Sequence, residues 1–348
     1  MNTYIITNSE NSGQPATRYI SGFSGSDSLL IFTTERPLSE VGAGKSMKWV
    51  KLLLDGRYWE QGQWEVQGTK YRVQSGAIEI VKIHKDYTSK QALADIIKQH
   101  SIVEVAIDSR ITSYASVLSS QEAGLTVSAH PNIFQSIREI KSGEEIKKIQ
   151  KAQEIALDAF DKMKHEIQAG VSESYIAARL EFLMKQGGAE KTAFETIVAS
   201  GRNSALPHAR STSKTIEKND AVIVDFGAVY QGYCSDFTRT ILMPDASSQL
   251  REIYSIVQEA QHKALSAAVV GAPAKDVDLA ARNYIETRGY GEYFTHSTGH
   301  GVGMAVHELP HISWNSSTVL QKGHVITIEP GIYIPGVGGV RLEEMVVL

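Results

Sequence analysis

Asp225, Asp236, Glu329 and Glu343 lie in stretches of sequence that ordinarily bury themselves, and His300 falls between the two acidic pairs. Asp225 sits inside Ala221-Val222-Ile223-Val224-Asp225-Phe226, and Glu329 inside Val325-Ile326-Thr327-Ile328-Glu329. Both runs read as buried strands. An ionised carboxylate in such a place costs on the order of several kcal/mol unless a cation meets it. Too few Lys and Arg residues lie nearby to meet all four. Two divalent metal ions would meet them, and such a pair lowers the pKa of a bound water so that it can attack near neutral pH. The competing explanation is that backbone donors and scattered cations hold the carboxylates.

Spacing adds to the case. After Asp225 the chain turns through Tyr230-Gln231-Gly232 and returns as Tyr233-Cys234-Ser235-Asp236-Phe237-Thr238-Arg239-Thr240. A hairpin centred on Tyr230 and Gln231 places Asp225 opposite Asp236. The loop Pro335-Gly336-Val337-Gly338-Gly339 lies midway between Glu329 and Glu343, which makes those two cross-strand neighbours as well. Like charges directly opposite one another destabilise a sheet. Two such pairs point to ligation.

The histidines extend the site. His300 stands in Ser297-Thr298-Gly299-His300-Gly301-Val302-Gly303, where flanking glycines permit close backbone approach. A lone histidine is more often structural, but one that shares a domain with four orphan carboxylates reads as a fifth ligand. His296 and His307 flank it, and His208 stands in Leu206-Pro207-His208-Ala209-Arg210. An unligated imidazole can donate to a developing oxyanion or a leaving amine, and another can bind a substrate carboxylate or carbonyl. The alternative for each is a satisfied histidine that supports a ligand or faces solvent. Arg341, two residues before Glu343, shares its strand face and can orient a carboxylate, or simply form a salt bridge. His130, His311 and His324 read as structural.

These residues need elements to carry them. The length of 348 residues suits two domains, and 42% hydrophobic with 21% charged residues is ordinary for a globular protein. The net charge of −4 gives no general attraction to nucleic acid or anionic membranes. No apolar run reaches the ~18–20 residues that span a bilayer, and the N-terminus lacks a secretory pattern. A single cysteine, Cys234, excludes an internal disulfide framework and fits a reducing, cytoplasmic setting. Strands are expected at Ser28–Thr33, Lys51–Asp55 and Val103–Asp108, a helix at Ser89–Gln99, and an exposed loop from Thr34 to Met47. A boundary comes near Pro131. Ser142-Gly143-Glu144-Glu145 is a capping-box start for a helix whose Ile146, Ile149, Ala152, Ala156, Phe160 and Met163 share one face. Further helices are expected at Ser174–Gln186, Leu250–Val269 and Lys275–Thr287. Helix pair, hairpin, helix pair, hairpin is a pseudo-repeat in architecture, and antiparallel hairpins with segregated helices make the class α+β.

The ordered motifs resemble a known family. Val224-Asp225-Phe226-Gly227, the segment from Tyr233 to Thr240, Thr295-His296-Ser297-Thr298-Gly299-His300-Gly301-Val302-Gly303 and Val306-His307-Glu308-Leu309-Pro310 carry the likeness. So do the segment from Thr327 to Gly336 and Gly339-Val340-Arg341-Leu342-Glu343-Glu344. Together they are similar to the metallopeptidases of the aminopeptidase P, prolidase and methionine aminopeptidase group, with its pita-bread catalytic fold. Arg138-Glu139-Ile140-Lys141-Ser142-Gly143-Glu144-Glu145 resembles the entry to that catalytic domain. Tyr19-Ile20-Ser21-Gly22-Phe23-Ser24-Gly25-Ser26 and Leu54-Asp55-Gly56-Arg57-Tyr58 resemble the creatinase-type N-terminal α/β domain of Xaa-Pro peptidases, which methionine aminopeptidases lack. Relative to the family pattern, the chain opens almost at its first strand and stops soon after Glu343.

The resemblance implies a creatinase-like domain over residues 1–135 and a pita-bread catalytic domain over 136–348. It implies two divalent ions per chain, Mn²⁺ first and Co²⁺ or Zn²⁺ as substitutes. By the same resemblance Asp225 would chelate one ion, Asp236 and Glu343 would serve both, and His300 with Glu329 would complete the other. The resemblance implies that a hydroxide generated by the ions would attack the carbonyl preceding a proline, and that Glu329 would carry the proton to the leaving nitrogen. His208 and His307 steady substrate and intermediate, while His296 and Arg341 contact substrate or support the ligands. The implied partners are short proline-containing peptides and a second copy in a homodimer. Cleavage by an Xaa-Pro aminopeptidase is expected, with a dipeptidase (prolidase) as the alternative. A ligand-free scaffold of the same fold is a third reading, disfavoured because all five ligand positions are filled.

Overall fold

The computed structural model describes residues 2–8, 15–38, 46–66, 72–73 and 78–348. The chain divides into two compact units, Met1–Arg138 and Glu139–Leu348.

The first unit is a mixed sheet with helices. Its elements are β1 (Asn2–Asn8), α1 (Pro15–Ser21), β2 (Ser28–Thr34), β3 (Ser46–Leu54), α2 (Trp59–Glu65), β4 (Arg72–Val73), β5 (Glu79–Lys82), α3 (Ser89–His100), β6 (Glu104–Asp108), α4 (Tyr114–Glu122) and β7 (Thr126–His130). The strand order is β4-β3-β2-β1-β6-β7, with β5 also on β3. Strands β1, β2 and β3 pair antiparallel, while β6 and β7 run parallel to β1 and to each other. The centre of the sheet is apolar on both faces. Leu30, Phe32, Leu52 and Leu54 pack one way, and Ile5, Ile31, Leu53 and Val105 the other. Thr88 closes a capping box with Gln91 and so fixes the start of α3. The loop expected from Thr34 to Met47 lies partly outside the described residues.

The second unit repeats one plan twice. The first half holds α5 (Gly143–Met163), α6 (Glu173–Gln186), β8 (Lys191–Thr192), β9 (Ile197–Ser200), β10 (Ala221–Phe226), β11 (Ala228–Tyr230), β12 (Tyr233–Cys234) and β13 (Phe237–Leu242). The second half holds α7 (Ser248–Ala267), α8 (Ala274–Thr287), β14 (Gly299–Gly301), β15 (Glu308–Ile312), β16 (Val325–Ile328), β17 (Gly331–Ile334), β18 (Gly338–Arg341) and β19 (Glu344–Val347). Ser142 and Glu145 form both bonds of the capping box that starts α5. Ser172 and Ser247 cap α6 and α7 through their hydroxyls.

Strand alternation decides which side chains face the site. Along β10, Val222, Val224 and Phe226 pack against Ala156, Phe160 and Leu180 of α5 and α6. Phe226 stacks on Phe160 with centroids 5.1 Å apart, a contact worth about 0.5–1.5 kcal/mol beyond area burial. Period two therefore turns Asp225 to the opposite face. The second half does the same. Ile326, Ile328, Ile332 and Val340 join the core beneath α7 and α8, which leaves Thr327, Glu329, Tyr333, Arg341 and Glu343 on the other side. The two hairpins meet on these polar faces. Thr238 Oγ1 donates to Glu343 Oε2 (2.8 Å), Thr240 Oγ1 donates to the Arg341 carbonyl (2.7 Å), and Arg341 reaches Asp225.

Each hairpin is a long ladder broken in the middle. In the second, Ile328 pairs with Glu344 and Gly331 with Arg341, so one register continues across the break and Glu329 lies opposite Glu343. In the first, Asp225 pairs with Thr238 and Val229 with Cys234, again one register. Here the expected pairing needs correcting. Asp225 faces Thr238, and Asp236 is its diagonal neighbour. The turn is Gln231-Gly232, with φ of 47° and 81°, between the paired Tyr230 and Tyr233. Two consecutive positive φ values make the tight two-residue hairpin turn whose twist matches the strands. Centring the hairpin one residue earlier shifts the register by two, which keeps the face but changes the partner.

Gly232→Ala is expected to destabilise the protein by about 1–2 kcal/mol, the cost of a left-handed side-chain-bearing residue. Gln231→Asn is expected to be neutral or stabilising. Chemical denaturation of both variants checks this.

Candidate metal centre

Gly299 and Gly301 let His300 enter a crowded strand. A Cβ on Gly299 would collide with the Thr327 carbonyl, and one on Gly301 with the Leu309 carbonyl. The backbone N–H of His300 donates to Thr327 Oγ1 (3.1 Å). Its Nδ1 lies 3.1 Å from the Gly301 carbonyl, so this nitrogen donates there and Nε2 is the one turned toward the carboxylates. Nε2 stands 3.3 Å from Glu329 Oε1 and 3.6 Å from Asp236 Oδ2. One ligand atom from each of Asp236, His300 and Glu343 lies within 4.8 Å of the others. Thr327 Oγ1 donates to Glu329 Oε1 at 3.3 Å.

Asp225 is held from outside by Arg341. The guanidinium donates from one Nη to Asp225 Oδ2 (2.7 Å), from the other to the Pro207 carbonyl and Tyr333 Oη (both 3.0 Å), and from Nε to Thr238 Oγ1 (3.0 Å). One of the four acids thus has a protein cation as partner. Its other oxygen, Oδ1, is buried and accepts no hydrogen bond.

The remaining histidines differ in what they offer. The His307 ring packs edge to face on His300 with centroids 4.3 Å apart and keeps contact with solvent. His208 is exposed in the segment after β9. His296 is already engaged at both ring nitrogens, Nδ1 to the Ser297 carbonyl and Nε2 to Tyr333 Oη, each at 2.8 Å. Its Nε2 therefore accepts from the Tyr333 hydroxyl, and neither nitrogen is left with a free proton. Direct contact of His296 with a substrate would require one of these bonds to open. Tyr333, which carries no signal of its own in the sequence, is a hub between His296 and Arg341.

Electrostatics match the geometry. Burial first, then Glu343, Asp225 and Glu329, push the Asp236 carboxyl well above its ordinary value. Burial, then Glu329 and Asp225, do the same to Glu343. Asp225 also rises through burial, with Arg341 pulling against it. Burial raises Glu329 too, but the bond and charge of His300 outweigh it and hold that carboxyl at about 2. Burial alone would lower His300, yet Glu329 lifts it above the ordinary imidazole value. Loss of water and the neighbouring His300 push His307 down to about 4. Burial lifts the Cys234 thiol to about 12, so it is an inert packing residue.

The donor set fits divalent cations. Acids that raise one another in a buried space are short of positive charge, and Asp225 Oδ1 is a buried oxygen with no hydrogen-bond partner. A model of metallopeptidase family M24 matches residues 147–348. The chain belongs to this family. Among M24 relatives, it is 52% identical over 217 residues to the Xaa-Pro dipeptidase of Pyrococcus horikoshii, an alignment covering 62% of each protein. The Xaa-Pro dipeptidase structure from Bacillus anthracis superposes with a TM-score of 0.87 at 36% identity, covering 100% of this chain and 90% of that one. The X-Pro aminopeptidase structure from Thermotoga maritima gives 0.84 at 36% identity, covering 100% and 93%. The expected α+β class, with an N-terminal domain and a pita-bread catalytic domain, is borne out. As an M24 member the chain is a metallopeptidase.

Removing metal from this M24 protein has a signed pH dependence. In the ion-free chain Asp236 and Glu343 have folded pKa values above their unfolded ones, so the folded state binds the extra protons. Its stability therefore falls as pH rises through the raised values. The raised His300 acts in the same direction, while Glu329 at about 2 contributes a constant term above the ordinary carboxylate range. The gap in Tm between metal-loaded and chelator-treated protein is expected to widen from about pH 5 to about pH 8. Titration calorimetry in buffers of different ionisation enthalpy is expected to record proton release on metal uptake.

Proposed function

We propose that this metallopeptidase hydrolyses the peptide bond between an N-terminal residue and a following proline, using two divalent ions held by Asp225, Asp236, His300, Glu329 and Glu343. The observation that carries the reading is the meeting of four carboxylates and one imidazole between two hairpins, with a buried Asp225 oxygen that has no partner. The proline preference is supported by the names of its relatives, an Xaa-Pro dipeptidase and an X-Pro aminopeptidase. When bound, the ions polarise the scissile carbonyl and make a water acidic enough to attack near neutral pH. Oxygen-rich ligation with one imidazole suits Mn²⁺, with Co²⁺ or Zn²⁺ as substitutes.

The chain's own residues supply the rest. An Xaa-Pro amide nitrogen carries no proton, so it must gain one to depart as a secondary amine. Glu329, fixed by His300 and Thr327, takes a proton from the attacking water and delivers it to that nitrogen. His307, neutral at pH 7 with its pKa near 4, retains one N–H to donate to the oxygen that becomes negative. His208, exposed after β9, is assigned to the substrate side with His307. His296 and Arg341 act by orientation, His296 through Tyr333 and Arg341 directly on Asp225. The reading extends to a homodimer, as the family resemblance implies, and to a cytoplasmic setting, which the single cysteine favours. Among the described residues no helix is long and apolar enough to cross a membrane.

Aminopeptidase action is preferred on the Asp55-Gly56-Arg57-Tyr58 element, whereas the Pyrococcus horikoshii relative is named a dipeptidase. Comparing turnover of Gly-Pro with that of a longer Xaa-Pro-Yaa peptide separates the two. An aminopeptidase cleaves the longer peptide, and a dipeptidase only Gly-Pro. Asp236→Ala is expected to reduce Mn²⁺-dependent cleavage of either peptide to the uncatalysed level, and retained turnover rules the site out. His307→Ala is expected to lower kcat by about 10²-fold with metal content unchanged, read by steady-state kinetics beside metal analysis.

A further inference from the structure

Outside the candidate centre two carboxylates, Glu173 and Asp278, are fully buried and held by several hydrogen bonds, each on the second helix of its pair. Asp278 on α8 accepts from the backbone N–H of Thr298 (3.0 Å) and from its hydroxyl (2.8 Å), both through Oδ1. Arg282, one turn later on α8, meets both Asp278 oxygens at 2.8 and 2.9 Å. The same guanidinium donates to the carbonyls of His296 (2.7 Å) and Phe294 (3.2 Å), and lies over the rings of Phe294 and Trp314. Residues 294–298 are thus stitched to α8 along their backbone.

The stitched segment runs directly into the candidate ligands. Thr298 leads through Gly299 into His300, and its carbonyl accepts the backbone N–H of Glu329 at 2.7 Å. One residue, held at its N–H and hydroxyl by Asp278, therefore sets the backbone of two candidate ligands at once. The first half of the unit carries the same device. Glu173 on α6 accepts from the N–H and hydroxyl of Ser200 (2.7 and 2.8 Å), from Asn203, and from the N–H and hydroxyl of Thr212. Those contacts bracket the segment that bears His208. In both halves the anchored residue, Ser200 or Thr298, has glycine as its next neighbour in the chain.

We propose that Asp278, braced by Arg282, is a positioning residue for the metal centre, setting His300 and Glu329 through Thr298. This rests on the reading of those two residues as metal ligands. Ligand orientation is worth roughly 10–100-fold in metal affinity in sites where such supports have been removed, whereas a carboxylate that only stabilises α8 leaves the affinity of the folded protein alone. The experiment is titration calorimetry with Mn²⁺ on full-length wild-type, Asp278→Asn, Thr298→Val and Thr298→Ser proteins, with thermal melts of each metal-free chain. Asp278→Asn and Thr298→Val are expected to bind Mn²⁺ about 10–100-fold more weakly while still melting cooperatively. Thr298→Ser, which restores the hydroxyl, is expected to recover most of what Thr298→Val loses. Wild-type affinity in folded Asp278→Asn or in Thr298→Val overturns the proposal. If Asp278→Asn does not fold, the contrast between Thr298→Val and Thr298→Ser decides alone. A wild-type chain that takes up no Mn²⁺ removes the ligand reading itself, and the proposal with it.

Discussion

Four acidic side chains of like charge, enclosed between two hairpins, cannot all ionise in a space that excludes most water. The rest of the catalytic unit is organised around that constraint. Arg341 neutralises part of it from behind Asp225, and Thr238 supports Glu343 with a hydroxyl, but neither supplies enough positive charge for the group. Replacing a buried ion pair by apolar residues is often neutral or stabilising, so stability alone gives no reason to keep these acids. Their place between the polar faces of the two hairpins fits the proposed role of holding cations.

The constraint also explains the broken ladders. A carboxylate that must turn into a shared space needs its strand to bend, and bending interrupts the hydrogen bonds to the neighbouring strand. The freed backbone groups find other partners. Glu329 donates its N–H to the Thr298 carbonyl and Glu343 to the Thr238 carbonyl, while Asp236 donates to the thioether of Met345 at 3.2 Å. The bond from Glu343 crosses between hairpins, so the interruption in one becomes a link to the other. The helix pairs supply the rigid backing, gripping the outer faces through Val222, Val224 and Phe226 on one side and Ile326, Ile328 and Ile332 on the other.

Much of this is legible in the sequence because its signals are local. Charged residues in apolar runs mark Asp225 and Glu329, Ser142 with Glu145 marks the start of α5, and Gly299 and Gly301 announce a crowded approach to His300. The midpoint of the second hairpin falls on a glycine-rich loop, which makes Glu329 and Glu343 cross-strand partners. In the first hairpin the turn lacks the usual Asn-Gly or Asp-Gly pair, and Gln231 in a left-handed conformation is a poor advertisement. Tyr333 and Thr238 read as ordinary strand residues, since their partners lie far along the chain. Glu173 stands one residue before the helix expected from Ser174, and its partners Ser200, Asn203 and Thr212 lie too far along the chain to mark it. Asp278 leaves a trace. It sits beside Val277 and Ala281 on the buried side of α8, with an arginine four residues on, and a charge placed there invites the question of what it holds.

Because each hairpin keeps one register on both sides of its interruption, the residues between the break and the tip act as a self-contained extension. A residue lost within a strand on either side would slip the pairing and turn an acid toward the helices. The tip itself bears no such restriction. Pro335 and Gly336 lie in the open beyond the last pair of the second hairpin. That apex is a natural place for the polypeptide to tolerate inserted sequence, whether introduced by divergence or as a grafted reporter peptide, with the chemistry below left undisturbed.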